Sequence, residues 1–143
     1  IVQGSSMEPS FSDGDIVLVS CNTRDLERGD VVVFSTWERD ESKDKEDSIR
    51  IKRIIGMPGD VIEVDKKTST VTINGEPLYE PYINTGYSRA YDITWPATVP
   101  EGHYFVMGDN RPHSLDSRSK EIGFVAADEI IYKVGPILWP LLR

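Results

Sequence analysis

The chain has 143 residues, with 16 Lys and Arg against 24 Asp and Glu and a net charge of −8. That length suits one domain, commonly about 100–150 residues, and a domain of this size buries a core without metals or disulfides. The single cysteine, Cys21, excludes an intrachain disulfide and a two-cysteine zinc site, and the acidic balance argues against a nucleic-acid partner, which needs a basic face.

The chain opens on Ile1 and not on Met, which reads as a processed chain or a cut fragment. No apolar run approaches the roughly 18–20 residues of a spanning helix. The longest, from Val134 to Leu142, is interrupted by Pro136 and Pro140.

Short β-branched runs between turn residues dominate the sequence and predict strands. Ile16 to Ser20 follows Asp13-Gly14-Asp15, and Val31 to Phe34 follows Arg28-Gly29-Asp30. The segment 36–50, TWERDESKDKEDSIR, carries six acids and four bases and reads as a solvated loop between strands. Ile49 to Ile55 is the next run, closed by Gly56-Met57-Pro58-Gly59-Asp60, where Pro-Gly suits a type II turn. Val61 to Val64 continues the series. Thr70 to Ile73, Asn74-Gly75 and Glu76 to Tyr79 predict a hairpin with a type I′ turn. Residues 80–100, rich in Tyr, Pro, Asn and Thr, read as an irregular connection. Tyr104 to Met107 and Glu129 to Tyr132 complete the set. No stretch holds helical periodicity over three turns, so the fold class is mainly β with little helix.

The chemistry begins with what is missing: the chain has no HExxH, no paired cysteines and no phosphate-binding glycine loop. No cofactor or metal is expected. His103 and His113 are the only histidines. His113 is too close in sequence to Ser114 and Asp116 to build a triad with them, and both histidines read as surface or structural residues. A serine would therefore need another base. Ser6 lies in Gly4-Ser5-Ser6-Met7-Glu8-Pro9-Ser10, where Gly4 permits close backbone approach and Pro9 stiffens the exit. Such a segment can present an acyl-transfer nucleophile beside backbone N–H groups, or be an ordinary turn. Lys52 lies among isoleucines in Ile49-Arg50-Ile51-Lys52-Arg53-Ile54-Ile55. Desolvation there would lower its pKa toward that of a neutral base; the alternative is a lysine snorkelling from an amphipathic strand. Residues 108–118, GDNRPHSLDSR, hold two carboxylates, two guanidiniums, one amide and two hydroxyls. They read either as a buried polar network or as a solvated loop.

Taken together and in this order, the segments resemble the boxes of the type I signal peptidases. The resemblance rests on Ser6-Met7-Glu8-Pro9, Gly29-Asp30-Val31-Val32, Lys52 through Asp60 and Gly108 through Arg118, and extends from Gly4 to Leu138-Trp139-Pro140-Leu141. Self-cleaving repressors of the LexA type share the Ser-Met pair and the strand lysine but lack the Gly-Asp-Asn-Arg box.

The resemblance implies a LexA-like complex of antiparallel sheets and one catalytic domain over residues 1–143, with the charged loop 36–50 and with a membrane anchor preceding Ile1. It implies a membrane-associated serine endopeptidase that removes signal peptides from exported preproteins by a Ser-Lys dyad. Ser6 corresponds to the nucleophile and Lys52 to the general base. Ser114 matches the serine that hydrogen-bonds the lysine, and Asp116 and Arg118 match a framework ion pair. Asp109 and Arg53 join these supporting residues. Gly4, Met7, Phe11 and Ile51 match positions lining shallow pockets for small residues one and three before the cut.

Gly4 stands where some members place a serine hydroxyl as second oxyanion donor, leaving that part to backbone or water. Arg50 replaces a usual aromatic and can alter the pocket wall. Ser10 replaces a common Thr. The short stretch from Asp60 to Gly108 resembles the compact Gram-positive type. The expected setting is the extracytoplasmic face of a bacterial cytoplasmic membrane, with preproteins and the lipid surface as partners and no nucleic acid. Trp139, with Leu138, Leu141 and Leu142, suits either the bilayer interface or the core. A rival reading is a catalytically silent signal-peptide-binding module.

Overall fold

A computed structural model of the chain describes residues 1–83 and 87–139. Ten strands are present: β1 (Ile16–Ser20), β2 (Val31–Ser35), β3 (Ile49–Gly56), β4 (Val61–Val64), β5 (Val71–Ile73), β6 (Glu76–Pro77), β7 (Ala97–Thr98), β8 (His103–Met107), β9 (Val125–Ala126) and β10 (Ile130–Trp139). They form a six-stranded sheet in the order β1-β10-β2-β3-β8-β9 and a four-stranded sheet in the order β6-β5-β4-β7. All pairs are antiparallel. Helix among the described residues is confined to short 3₁₀ turns, so the mainly β expectation is met.

Strand alternation builds the core of the larger sheet on both faces. Val32 and Phe34 of β2 join Leu26, Ile54, Val106, Ile122, Val125 and Ile130 on one side. Val31 and Val33 point the other way, with Val2, Met7, Phe11 and Val134. Successive strand residues face opposite sides, so a continuous Val-Val-Val-Phe run is what a doubly covered strand requires. A third cluster, centred on Ile55, Ile62, Val99, Phe105 and Met107, fills the space at the smaller sheet. There Phe105 meets Trp95 with ring centroids 5.9 Å apart. Trp95 and Ile93 come from the irregular connection, which is therefore part of the core covering and not a free loop.

The Asn74-Gly75 turn has positive φ at both positions, 53° and 83°, as a type I′ hairpin requires. Gly59 likewise takes φ 88° in the turn after Pro58. The charged segment is largely exposed, but Thr36 and Ser48 are buried where it meets the sheet. Arg39 bonds Glu129 and Lys43 bonds Glu121, fastening the loop to the body.

The structure extends the last strand, adds two short ones and takes Trp139 out of the core. Strand β10 runs to Trp139, well past Tyr132. Pro136 does not end it, because it falls at a bulge: Val17 pairs Ile137 and Val19 pairs Val134, so two β10 residues oppose one on β1. Strands β7 and β9, two residues each, are set by their partners β4 and β8 and not by a local run. Trp139 is 67% exposed and is not a core residue. Its companions Pro140, Leu141 and Leu142 lie outside the described residues.

Candidate active site

The segment before β1 folds back so that Ser6 meets Lys52 on β3. Val2 anchors the start: its N–H donates to Asp15 O and its carbonyl accepts from Gly14. Beneath the loop Met7 and Phe11 are buried in the core, 1% and 8% exposed. From the far side Asn110 holds the loop, its N–H donating to Ser6 O at 2.9 Å and its Nδ2 to Ser5 O at 3.0 Å. Gly108 makes this approach possible. A Cβ there would stand 2.1 Å from Ser114 Oγ and 2.6 Å from Ser6 O, closer than any side chain tolerates.

Lys52 Nζ lies 2.7 Å from Ser6 Oγ. The lysine is 4% exposed, and among the described residues that is its one hydrogen bond. Burial disfavours the ammonium and brings its pKa down to about 8. The Asp116 charge opposes the shift, and Arg50 and Arg118 reinforce it. A near-neutral amine at hydrogen-bond distance from a hydroxyl can take that hydroxyl's proton as the oxygen attacks a carbonyl carbon. The Ser6 N–H makes no hydrogen bond among the described residues and is available to an oxyanion. Gly4 has φ 83°, and its N–H is already donated to Asp13 Oδ1 at 2.7 Å.

The 108–118 segment forms the buried network, not the solvated loop. Asp116 and Arg118 are fully buried and paired by two parallel bonds, Nε to Oδ1 and Nη2 to Oδ2, each 2.8 Å. Burial alone would raise the Asp116 pKa, but the Arg118 bonds, with help from Gly108 N–H and Ser114, hold it below the usual value. A second fork joins Arg53 Nε and Nη2 to Asp109 at 2.9 and 2.7 Å, with Ser10 Oγ donating to Asp109 at 2.6 Å. Arg111 is fully buried and bonded to Gly108 O, Ser88 and Glu80. No buried side-chain polar atom among the described residues lacks a partner.

Ser114 departs from expectation. Its hydroxyl donates to Asp116 Oδ2 at 2.8 Å and accepts from Gly108 N–H at 3.1 Å, with no bond to Lys52. A buried carboxylate is the strongest acceptor nearby and accepts the hydroxyl's hydrogen bond, so Ser114 bonds Asp116 and not Lys52. His113 is exposed, and His103 Nδ1 is 2.8 Å from Glu101 O, so neither histidine reaches Ser6.

A cleft of about 520 Å³ opens at Ser6 and Lys52. Of the four expected pocket residues, Ile51 lines it. Met7 and Phe11 lie under the loop as its support, and Gly4 is exposed outside the wall. The apolar wall also includes Val17, Val33, Ile49 and Tyr132, with Arg50 beside Lys52. Sequence reasoning missed those four and the anchoring role of Asn110. The alternation of β1 and β2 carried the signal for Val17 and Val33.

Comparison with known proteins agrees with this geometry. The family model described as signal peptidase, peptidase S26, matches residues 1–139. Signal peptidase IB of Staphylococcus aureus (strain COL) is 35% identical over 157 residues, covering 97% of this chain and 76% of that protein. Signal peptidase I of Bacillus amyloliquefaciens is 37% identical over 141 residues, covering 92% and 68%. The crystal structure of a signal peptidase I from Enterococcus faecalis V583 superposes with a TM-score of 0.60 at 32% identity, covering 79% of this chain and 98% of that one. With a serine and a buried lysine in contact at its cleft, the chain belongs to the signal peptidase family S26, serine peptidases that cut signal peptides from preproteins.

Proposed function

We propose that Ser6 is the nucleophile and Lys52 the general base of this peptidase. The observation that carries the reading is the 2.7 Å contact between Lys52 Nζ and Ser6 Oγ at a nearly fully buried lysine. Neutral Lys52 takes the Ser6 proton as Oγ bonds the carbonyl carbon at the end of the signal peptide. The Ser6 N–H holds the oxyanion. Collapse breaks the C–N bond, and Lys52 returns the proton to the departing amine of the mature protein. Water, deprotonated by Lys52, then releases the signal peptide from Ser6.

Asp116, Arg118, Asp109 and Arg53 act as framework: their forks fix the segment that carries Gly108 and Asn110 against Ser6. A cleft walled by Val17, Val33 and Ile51 suits small apolar side chains one and three residues before the cut, with the extended substrate aligned beside a strand. We read residues 1–143 as one catalytic domain working at the extracytoplasmic face of a bacterial membrane. Leu138 and Trp139, 58% and 67% exposed at the end of β10, meet the bilayer interface. No helix among the described residues is long and apolar enough to cross a membrane.

The test is cleavage of a preprotein in detergent. Ser6→Ala and Lys52→Ala are each expected to lose it while retaining the parent circular dichroism and melting transition. Substantial turnover by either would overturn the assignment. Because the base must be neutral, kcat/KM is expected to rise with pH through a midpoint of about 8. A rise only near the ordinary lysine value would contradict a desolvated base.

A further inference from the structure

Arg50 is a half-buried cation in a cleft wall that is otherwise mostly aliphatic. It lies two residues before Lys52 on β3, opposite Phe34 in the register. One guanidinium nitrogen, Nη1, fixes it, donating to Thr36 Oγ1 at 3.2 Å and Ser48 O at 3.4 Å. Both partners are themselves buried, at 7% and 1% exposure, so the anchor is part of the fold. Among the described residues Nε and Nη2 have no protein acceptor, and Arg50 makes no salt bridge. Glu46 borders the same cleft and Asp47 acts on Arg50 through its field, but neither carboxylate is bonded to it. The fork is thus held at one corner, and Arg50 lines the cleft beside Lys52.

We propose that Arg50 is a specificity-determining residue that binds an acidic side chain of the substrate close to the scissile bond. The inference rests on the reading of the Ser6–Lys52 cleft as the substrate site. A guanidinium offers parallel donors that match a carboxylate, and charge-assisted bonds of this kind are stronger than neutral ones. The distance along β3 sets the register. Two strand residues span about 6.6 Å, so an extended peptide lying beside β3 brings a side chain roughly two positions from the cut to Arg50. The surrounding apolar wall lowers the local dielectric and strengthens the pair. Arg50's charge also helps keep Lys52 deprotonated, so its effect on selectivity must be separated from its effect on the base.

The experiment uses signal-peptide substrates in matched Glu and Gln pairs at each position from three before to two after the cut. They are assayed with the wild type, Arg50→Gln and Arg50→Lys at one pH. The Glu-to-Gln ratio of kcat/KM within each protein cancels any change in Lys52 titration. The wild type is expected to favour Glu at one position by about tenfold or more, with the preference falling as salt rises. Arg50→Lys is expected to keep part of it and Arg50→Gln none. Equal rates at every position in the wild type, or a Glu preference that survives Arg50→Gln, would overturn the proposal. A wild type that cut no peptide would instead break the Ser6–Lys52 reading. Affinity of the wild type for the same pairs would then decide about Arg50, a Glu preference supporting it and equal binding overturning it.

Discussion

Lys52 and Arg118 are both buried cations of one molecule, and their surroundings treat them in opposite ways. Arg118 has a carboxylate on two of its nitrogens and three carbonyl oxygens besides. Lys52 has one hydroxyl. A fully compensated cation keeps its charge and serves as a strut. A cation denied a direct counter-ion surrenders its proton more readily and becomes a base. Asp116 is the nearest candidate to pair with Lys52, but its two oxygens are occupied by Arg118, Ser114 and Gly108 N–H. The ion pair that steadies the framework therefore also withholds a carboxylate from the lysine.

Breaking the pair should have the largest effect. Asp116→Asn leaves Arg118 buried without a counter-charge, which costs about 3–5 kcal/mol; chemical denaturation reads this directly. Asp116's lowered pKa gives the corresponding sign with acid. Its contribution is full above its unfolded pKa and is lost as pH falls through the lower folded value. Wild-type stability is expected to show that acid limb, and Asp116→Asn to lack it. Arg118→Met frees Asp116 to act on Lys52, so the activity profile should move to higher pH.

Lys52→Met tests the other side of the comparison. The folded pKa of about 8 lies below the ordinary lysine value of 10.5, so burial of the charged form penalises folding at neutral pH. The penalty is full below the folded pKa and vanishes above the unfolded one. The variant is expected to be more stable than wild type by up to roughly 3 kcal/mol at pH 7, with the advantage gone near pH 11. A destabilised variant at pH 7 would mean that the lysine is held by contacts worth more than its desolvation.

Gly108→Ala is expected to cost about 1–3 kcal/mol through overpacking and to lower activity sharply, because the new Cβ displaces Ser6 O. Ser114→Ala should have the smallest effect, about 1 kcal/mol, with little change in the activity midpoint, since its hydroxyl bonds Asp116 and not Lys52. A large downward shift of that midpoint, as when an acceptor of the ammonium is removed, would point to a direct Ser114–Lys52 bond that the geometry lacks.

The contrast between the two cations also marks how far the sequence could be read. Lys52 stood out because a lysine between isoleucines is anomalous within a strand, and Ser6 because of the turn around it. The density of charge in 108–118 suits a buried network as well as a solvated loop, and burial decides between them. The network's wiring was not legible, since the choice of Ser114 between lysine and carboxylate depends on where Asp116 points. Strands that coincide with a β-branched run, such as β2 and β3, are visible locally, whereas β7 and β9 are two residues each and exist through their partners. The passage of β10 through Pro136 depends on a bulge against β1. Met7 and Phe11 carry the chemistry of a pocket wall as well as that of a core, and only packing separates the two.

The most direct measurement is a titration of Lys52 itself, by NMR of the labelled lysine side-chain carbon adjacent to Nζ, with Lys52→Met used for assignment. A midpoint close to 8 is the expected result. A midpoint at or above the ordinary lysine value, about 10.4, would contradict a base whose pKa is lowered by burial without a direct counter-ion.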